Sequence, residues 1–268
     1  MLINIVYDLP NWLLLLIILS LVALISIVGQ QLVRRVLRTY CPGVDDQVPT
    51  GLSSLAGVLY AIVLGFIAVS VWGAFDRAVA ITAKEANITN NIWLNARIYP
   101  NPLENQIRTL VEQYLHLVIE KEWPLQRRGK ESPQAQTAIE GLYRVIIDFN
   151  PNTQEQIVVH AETVRMIFDL FDARRLRAYI NNHGLETVLW STLLLGAFLM
   201  FVFAWSLLAK TEKGRSWYAV LFGVINGLII FLIVAFDYPY RGATSVRPEA
   251  YIKVLAHLER LSVEQPAD

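Results

Sequence analysis

The side chains able to do chemistry are few in this sequence and scattered. His116, His160, His183 and His257 lie far apart, and none has the H-E-x-x-H spacing that sets two imidazoles on one helix face for zinc. Cys41 is the single cysteine, which rules out an internal disulfide or a thiolate cluster. No G-x-S-x-G elbow, glycine-rich phosphate loop or Asp-rich metal loop occurs. These residues offer no catalytic group, metal site or cofactor site, and the chain reads as a non-enzyme. The polar groups that stand out lie inside long apolar stretches: Ser20, Ser26, Ser53, Ser54, Ser70, Ser191, Thr192, Ser206 and Asn226. Serines there usually bond their own helix backbone. A carboxamide facing hydrocarbon would leave polar groups unpaired, so Asn226 must face protein or a water-filled path. It sits beside Gly223 and Gly227, spaced four apart, and reads either as interhelical glue or as a pathway-lining group.

Those stretches set the architecture. Residues 12–33, 52–75, 187–209 and 217–236 contain no Asp, Glu, Lys, Arg or His. Each is long enough to cross a hydrocarbon core of about 30 Å as a helix. Four helices apolar all round need lipid around them, because the rest of the chain is too small to wrap them. The first span has no basic stretch before it and no small-x-small site after it, so it reads as a retained span. The absence of ionisable side chains from the spans argues against a proton-coupled transporter or an intramembrane enzyme. A passive pore needs none, since width, dewetting and helix-end dipoles can gate and select. Along the second span Ser54, Gly57, Ala61, Gly65 and Ala68 form a stripe of small residues. Such a stripe either lines a pore or lets a neighbouring helix approach closely.

Between spans 2 and 3, residues 76–186 are polar with helical periodicity. Leu103, Ile107, Leu110, Val111, Tyr114, Leu115 and Val118 predict a first helix after Pro102. Ser132-Pro133 opens a second, with Ala135, Ala138, Ile139, Leu142, Tyr143 and Ile146 inward, and Asn150-Pro151-Asn152 closes it. Thr153 and Gln156 have capping-box spacing for a third, whose apolar positions are Ile157, Ala161, Val164, Ile167, Phe168 and Phe171. That helix stops near Asn181-Asn182-His183-Gly184. Neither Gly nor Pro occurs between Phe75 and Pro100, so span 2 is expected to continue into this region as one helix. The fold class is therefore all-α: a four-helix transmembrane bundle with an extramembrane helical domain inserted between spans 2 and 3. The expected divisions are residues 1–75, 76–186, 187–236 and a C-terminal tail at 237–268.

Trp12, Trp72, Trp190, Trp217, Tyr218, Tyr238 and Tyr240 fall at span ends, as interfacial belts require. Charge gives two answers about sidedness. Arg34, Arg35, Arg38, Lys210, Lys213 and Arg215 occupy the short loops, which places the large domain outside by the positive-inside rule. Arg174, Arg175 and Arg177 before span 3, with Arg241 and Arg247 after span 4, favour the opposite. Net charge is zero, with 23 basic and 23 acidic residues, so no pull on nucleic acid is expected.

Three short motifs carry a family resemblance. Glu85-Ala86-Asn87 follows a glycine-containing second span, and Arg174-Arg175-Leu176-Arg177 leads toward Leu189-Trp190 and the third. Asp237-Tyr238-Pro239-Tyr240-Arg241-Gly242 follows the fourth, with Ser245-Val246-Arg247-Pro248-Glu249-Ala250-Tyr251 downstream. In this order they resemble the bestrophin-like domain family of prokaryotic and plant membrane proteins. The resemblance implies a four-span subunit whose relatives by fold, the bestrophins, are oligomeric anion channels lined by the second span. It also implies a cytosolic helical domain, contrary to the short-loop charges. The expected function is an oligomeric ion channel in the cell membrane, its partners the lipid bilayer, copies of itself and inorganic ions. The alternative is a membrane-anchored scaffold or sensor whose helical domain recruits a partner. In the motif residues, Asp237 either caps donors of the following turn or pairs with Arg77 or a cation, while Pro239 ends the fourth helix. Glu85, with Asn87 beside it, either pairs with a neighbouring subunit or rings a vestibule; Gly242 completes the motif.

Overall fold

The computed structural model describes residues 6–40, 47–206 and 212–264, and all of its regular structure is helical. Cys41, Lys210 and residues 207–209 of the third expected span lie outside the described residues. The helices are α1 (Asn11–Tyr40), α2 (Gln47–Asn95), α3 (Leu103–Leu117), α4 (Trp123–Gln126), α5 (Pro133–Ile147), α6 (Gln154–Asn182), α7 (Thr187–Ser206), α8 (Glu212–Asp237) and α9 (Glu249–Glu264). A 3-10 turn at Ala96–Ile98 ends α2, and a π turn at Val118–Glu122 joins α3 to α4. Four of these are long and apolar enough to cross a membrane.

The chain divides into two compact units. One holds α1, α2 as far as Ala74, α7, α8 and Gly242–Thr244. The other holds α2 from Phe75, α3 to α6, Tyr238–Arg241 and α9. In the apolar unit the close contacts are made at glycines. A Cβ on Gly223 would lie 2.4 Å from Ser26 Oγ, and one on Gly227 3.0 Å from Leu19 Cδ2, so α1 and α8 approach closely there. A Cβ on Gly196 would fall 2.5 Å from the Tyr60 ring, whose hydroxyl donates to the Leu193 carbonyl at 3.0 Å. Leu64, Ile67 and Val71 of α2 are buried with Leu193 and Ile233. Away from these seams, Leu16, Leu24, Phe66, Val69, Leu195 and Phe198 are exposed, as a surface meant for lipid or another copy requires.

Gly29 is the tightest of these positions. A Cβ there would lie 2.2 Å from the Trp205 indole, a rigid group that must move as a whole. Gly29→Ala is therefore expected to cost about 1–3 kcal/mol, the range for overpacking. Thermal unfolding in detergent measures it, and an unchanged midpoint would contradict the packing described.

The helical unit follows its sequence closely at the helix starts. Ser132 accepts the Ala135 N–H, with Pro133 at the first helical position. Thr153 accepts the Gln156 N–H at 3.2 Å, and the Gln156 side chain reaches back to the Asn152 N–H at 2.9 Å. Ile107, Val111, Tyr114, Leu115 and Val118 meet Ala135, Ile139, Leu142 and Ile146 in one core. Three expectations are corrected. Helix α6 buries Thr163, Ile167, Leu170, Ala173, Arg174, Arg177 and Asn181, while Ile157 and Phe168 are exposed. Thus Arg174 and Arg177 lie in the core, and only Arg175 of that trio faces solvent. The segment expected as a tail contains α9, whose Tyr251 and Leu258 are fully buried in this core. Tyr240 is no interfacial anchor: it is buried, with its ring edge-on to Trp123. Its oxygen lies 3.0 Å from the Ala78 carbonyl and 3.1 Å from Thr82 Oγ1.

Candidate functional site

Two features hold most of the candidate residues: the small-residue row on α2 and a buried charge cluster in the helical unit. On α2 the row borders the packed face. Gly57 is half-buried, a Cβ there reaching 3.3 Å from Met200 Cε, and Ala68 is likewise half-buried. Ser54, Ala61 and Gly65 are exposed, and a Cβ on Gly65 would meet nothing within 4 Å. The tightest helix approaches in this unit are at Gly29, Gly196, Gly223 and Gly227, with Gly57 a looser one. Asn226 is buried and donates through Nδ2 to the Phe222 carbonyl at 3.0 Å, one turn back on its own helix.

The second feature is built around Glu85, which is 0% exposed. Its carboxylate takes Arg177 Nε at 2.7 Å and Nη2 at 3.0 Å, a two-pronged pairing, and the Tyr114 hydroxyl at 2.5 Å. Arg177 Nη1 donates to Gln126 Oε1 at 2.6 Å. Glu122 accepts Arg177 Nη2 at 3.3 Å and Arg174 Nη1 at 2.7 Å, and Arg174 Nε reaches Gln136 Oε1 at 3.2 Å. Local geometry explains why four charges converge. Arg174, Arg177 and Asn181 continue the three- and four-residue spacing begun by Thr163, Ile167 and Leu170, so they point to the same side of α6. The π turn ends at Glu122 and carries it and Trp123 into the core beside Tyr114. The expectation that Glu85 rings a vestibule or pairs across subunits is therefore corrected: its partners lie within its own unit.

Electrostatics agree with a fixed lock rather than a reactive site. Burial alone would raise the Glu85 carboxyl, but the Arg177 guanidinium and the Tyr114 hydroxyl outweigh it and hold it below its ordinary range. Burial drives Tyr114 and Tyr251 upward and pushes Tyr240 up to about 12. With three donors engaging it, Glu85 remains ionised and has no free role as a proton acceptor. The cluster ties α2, α3, the π turn and α6 together through charge-assisted bonds in a low-dielectric interior.

The motif after the fourth span is structural in its contacts. Asp237 closes α8, and its carboxylate accepts the Leu185 N–H at 2.5 Å just before α7. Pro239 is buried, and its carbonyl accepts the Val246 N–H at 2.8 Å. Gly242 has φ +81°, and a Cβ there would lie 3.1 Å from the Tyr7 ring, so both conformation and space call for glycine. Asn87 is exposed and borders an open groove of about 500 Å³ between α2 and α9, which Arg247 and Lys253 also line. Of the histidines, His160 meets the Tyr99 hydroxyl at 3.1 Å, His116 faces Glu120 and His183 stacks on Tyr179. No group of three His, Cys, Asp or Glu suited to a metal occurs among the described residues.

Comparison with known proteins is consistent with these features. Crystal structures of a bacterial bestrophin homologue from Klebsiella pneumoniae carrying single substitutions are similar in fold. One is 13% identical with a TM-score of 0.66, covering 95% of this chain and 99% of its own. Another is 12% identical with a TM-score of 0.65, covering 93% and 98%. A crystal structure described as a membrane protein gives a TM-score of 0.67 at 12% identity, covering 93% and 98%. No curated protein matches. Residues 14–251 match the bestrophin-like domain, which shows that the chain belongs to the bestrophin-like domain family.

Proposed function

We propose that this protein is a homo-oligomeric ion channel of the cell membrane, conducting inorganic ions passively through a pore lined by α2. The observation that carries this reading is the placement of the small-residue row. Ser54, Ala61 and Gly65 are left uncovered by the other spans of the chain, while the adjoining face of the same helix is packed. Small side chains on an uncovered face suit either a narrow water path or the close approach of another copy, and a ring of copies brings both. Conduction through it needs no ionisable side chain within the spans. Under this reading the helical unit is cytoplasmic, as the family resemblance implies, and the charge cluster fixes it as a rigid base.

Purified protein reconstituted into liposomes under an ion gradient tests the proposal. Ion flux above that of protein-free vesicles is expected, from particles whose mass in detergent is a multiple of the 30.4 kDa chain. Silent vesicles bearing correctly inserted protein, or a monomer in detergent, would contradict it.

A further inference from the structure

The buried charges of the helical unit do not cancel. Glu85 and Glu122 oppose Arg174, Arg177 and Arg241, two against three, leaving one positive charge among its described residues. Both glutamates are taken up by Arg174 and Arg177. Arg241 is 8% exposed and pairs with no carboxylate among the described residues; its Nη2 donates to the Asn181 carbonyl at 3.0 Å and its guanidinium lies 4.4 Å from the Tyr238 ring centre. A desolvated guanidinium balanced only by partial charges is costly.

Unpartnered polar atoms occur on Arg241 itself and on two residues linked to it through Gly129 and the Asn181 carbonyl. Arg241 Nε, Gln126 Nε2, and both Nδ2 and Oδ1 of Asn181 are buried with no hydrogen-bond partner among the described residues. Gln126 and Asn181 are 3% and 1% exposed. These residues share one place. Gly129, whose N–H bonds the Gln126 carbonyl at 2.9 Å, would put a Cβ 2.4 Å from Arg241 Nη2. Its φ of +71° turns the chain there and leaves room for the guanidinium. Arg177, one turn before Asn181 on α6, holds the other end of the Gln126 carboxamide.

We infer that a halide-sized monovalent anion binds among Arg241 Nε, Asn181 Nδ2 and Gln126 Nε2. Three N–H donors and an unbalanced cation suit a spherical anion; a water molecule satisfies some of the donors but leaves the charge. The anion would clamp the turn after the fourth span to the end of α6. The site lies wholly within the helical unit and does not depend on the pore reading.

The test uses the full chain in detergent. Its unfolding midpoint is compared in sodium chloride, sodium bromide and sodium gluconate at equal ionic strength, which holds general screening constant. A midpoint higher by about 2–4 °C in either halide is expected for an occupied site that binds the folded state alone. Arg241→Met should lose this difference. Asn181→Asp should lose it as well, and should be as stable in gluconate as the parent in chloride, because the carboxylate supplies the missing charge. Crystals grown in bromide should show an anomalous peak between the three donors. A midpoint indifferent to the anion, a halide effect kept in either variant, or no bromide peak at that place would overturn the inference.

Discussion

Arg177→Met is expected to destabilise the helical unit by about 3–5 kcal/mol, the range for removing one partner of a buried ion pair. Arg177 makes four hydrogen bonds in the core, two to Glu85 and one each to Glu122 and Gln126. Met replaces much of the volume but leaves the Glu85 carboxylate enclosed with the Tyr114 hydroxyl as its remaining close donor. An ionised group in that position must either be protonated or draw in water, and both cost stability. Pairing the change with Glu85→Gln removes the stranded charge, so the double variant should be more stable than Arg177→Met alone. Denaturant unfolding of the detergent-solubilised chain reads both. A single variant within 1 kcal/mol of the parent (roughly the worth of an exposed pair) would show that the cluster is no lock.

Gly65→Phe is expected to reduce ion flux by about an order of magnitude or more if α2 lines the pore, because a bulky apolar ring favours dewetting of a narrow path. Nothing within 4 Å obstructs a side chain at Gly65, so the subunit itself should fold as before. The matching control is Leu59→Phe, at an exposed position on the large apolar side of the same helix, about 120° round from Gly65. It should leave flux unchanged. The assembly state separates two meanings of the small row. A pore-lining position keeps the ring and loses conduction, whereas a helix contact between copies breaks the ring. Unaltered flux in an intact ring would contradict pore lining.

Much of the fold was legible because its determinants are local. Uncharged runs of spanning length mark α1, α2, α7 and α8, and the Ser132 and Thr153 caps mark the starts of α5 and α6. The small row on α2 was visible as spacing, but its relation to the packed face depends on where α7 and α8 sit. The charge cluster was harder to see for a physical reason. Polar residues on a helical face read as solvent-facing unless partners from distant elements neutralise them. Glu85, Glu122 and Arg177 come from three separate segments, and Glu122 is aimed by a π turn that leaves no simple mark in the sequence. One clue was present: the spacing Ile167, Leu170, Arg174, Arg177, Asn181 continues a core stripe through charged residues. Helix α6 also carries apolar residues such as Ile157 and Phe168 on its exposed side, which pulled the inferred face away from the true one. Helix α9 escaped notice because its buried positions, Tyr251 and Leu258, are few.

The central claim is that α2 presents its small row to water inside the membrane, and thiol accessibility measures that most directly. In reconstituted protein with Cys41 replaced by Ser, single cysteines are placed at Ser54, Ala61 and Gly65, and in parallel at Leu55, Leu59 and Phe66 on the large apolar side of the helix. A membrane-impermeant, water-soluble thiol reagent should modify the first three rapidly, with modification blocking flux, and leave the second three unmodified. Modification of the Leu55, Leu59 and Phe66 positions with the small-row positions protected would contradict the account.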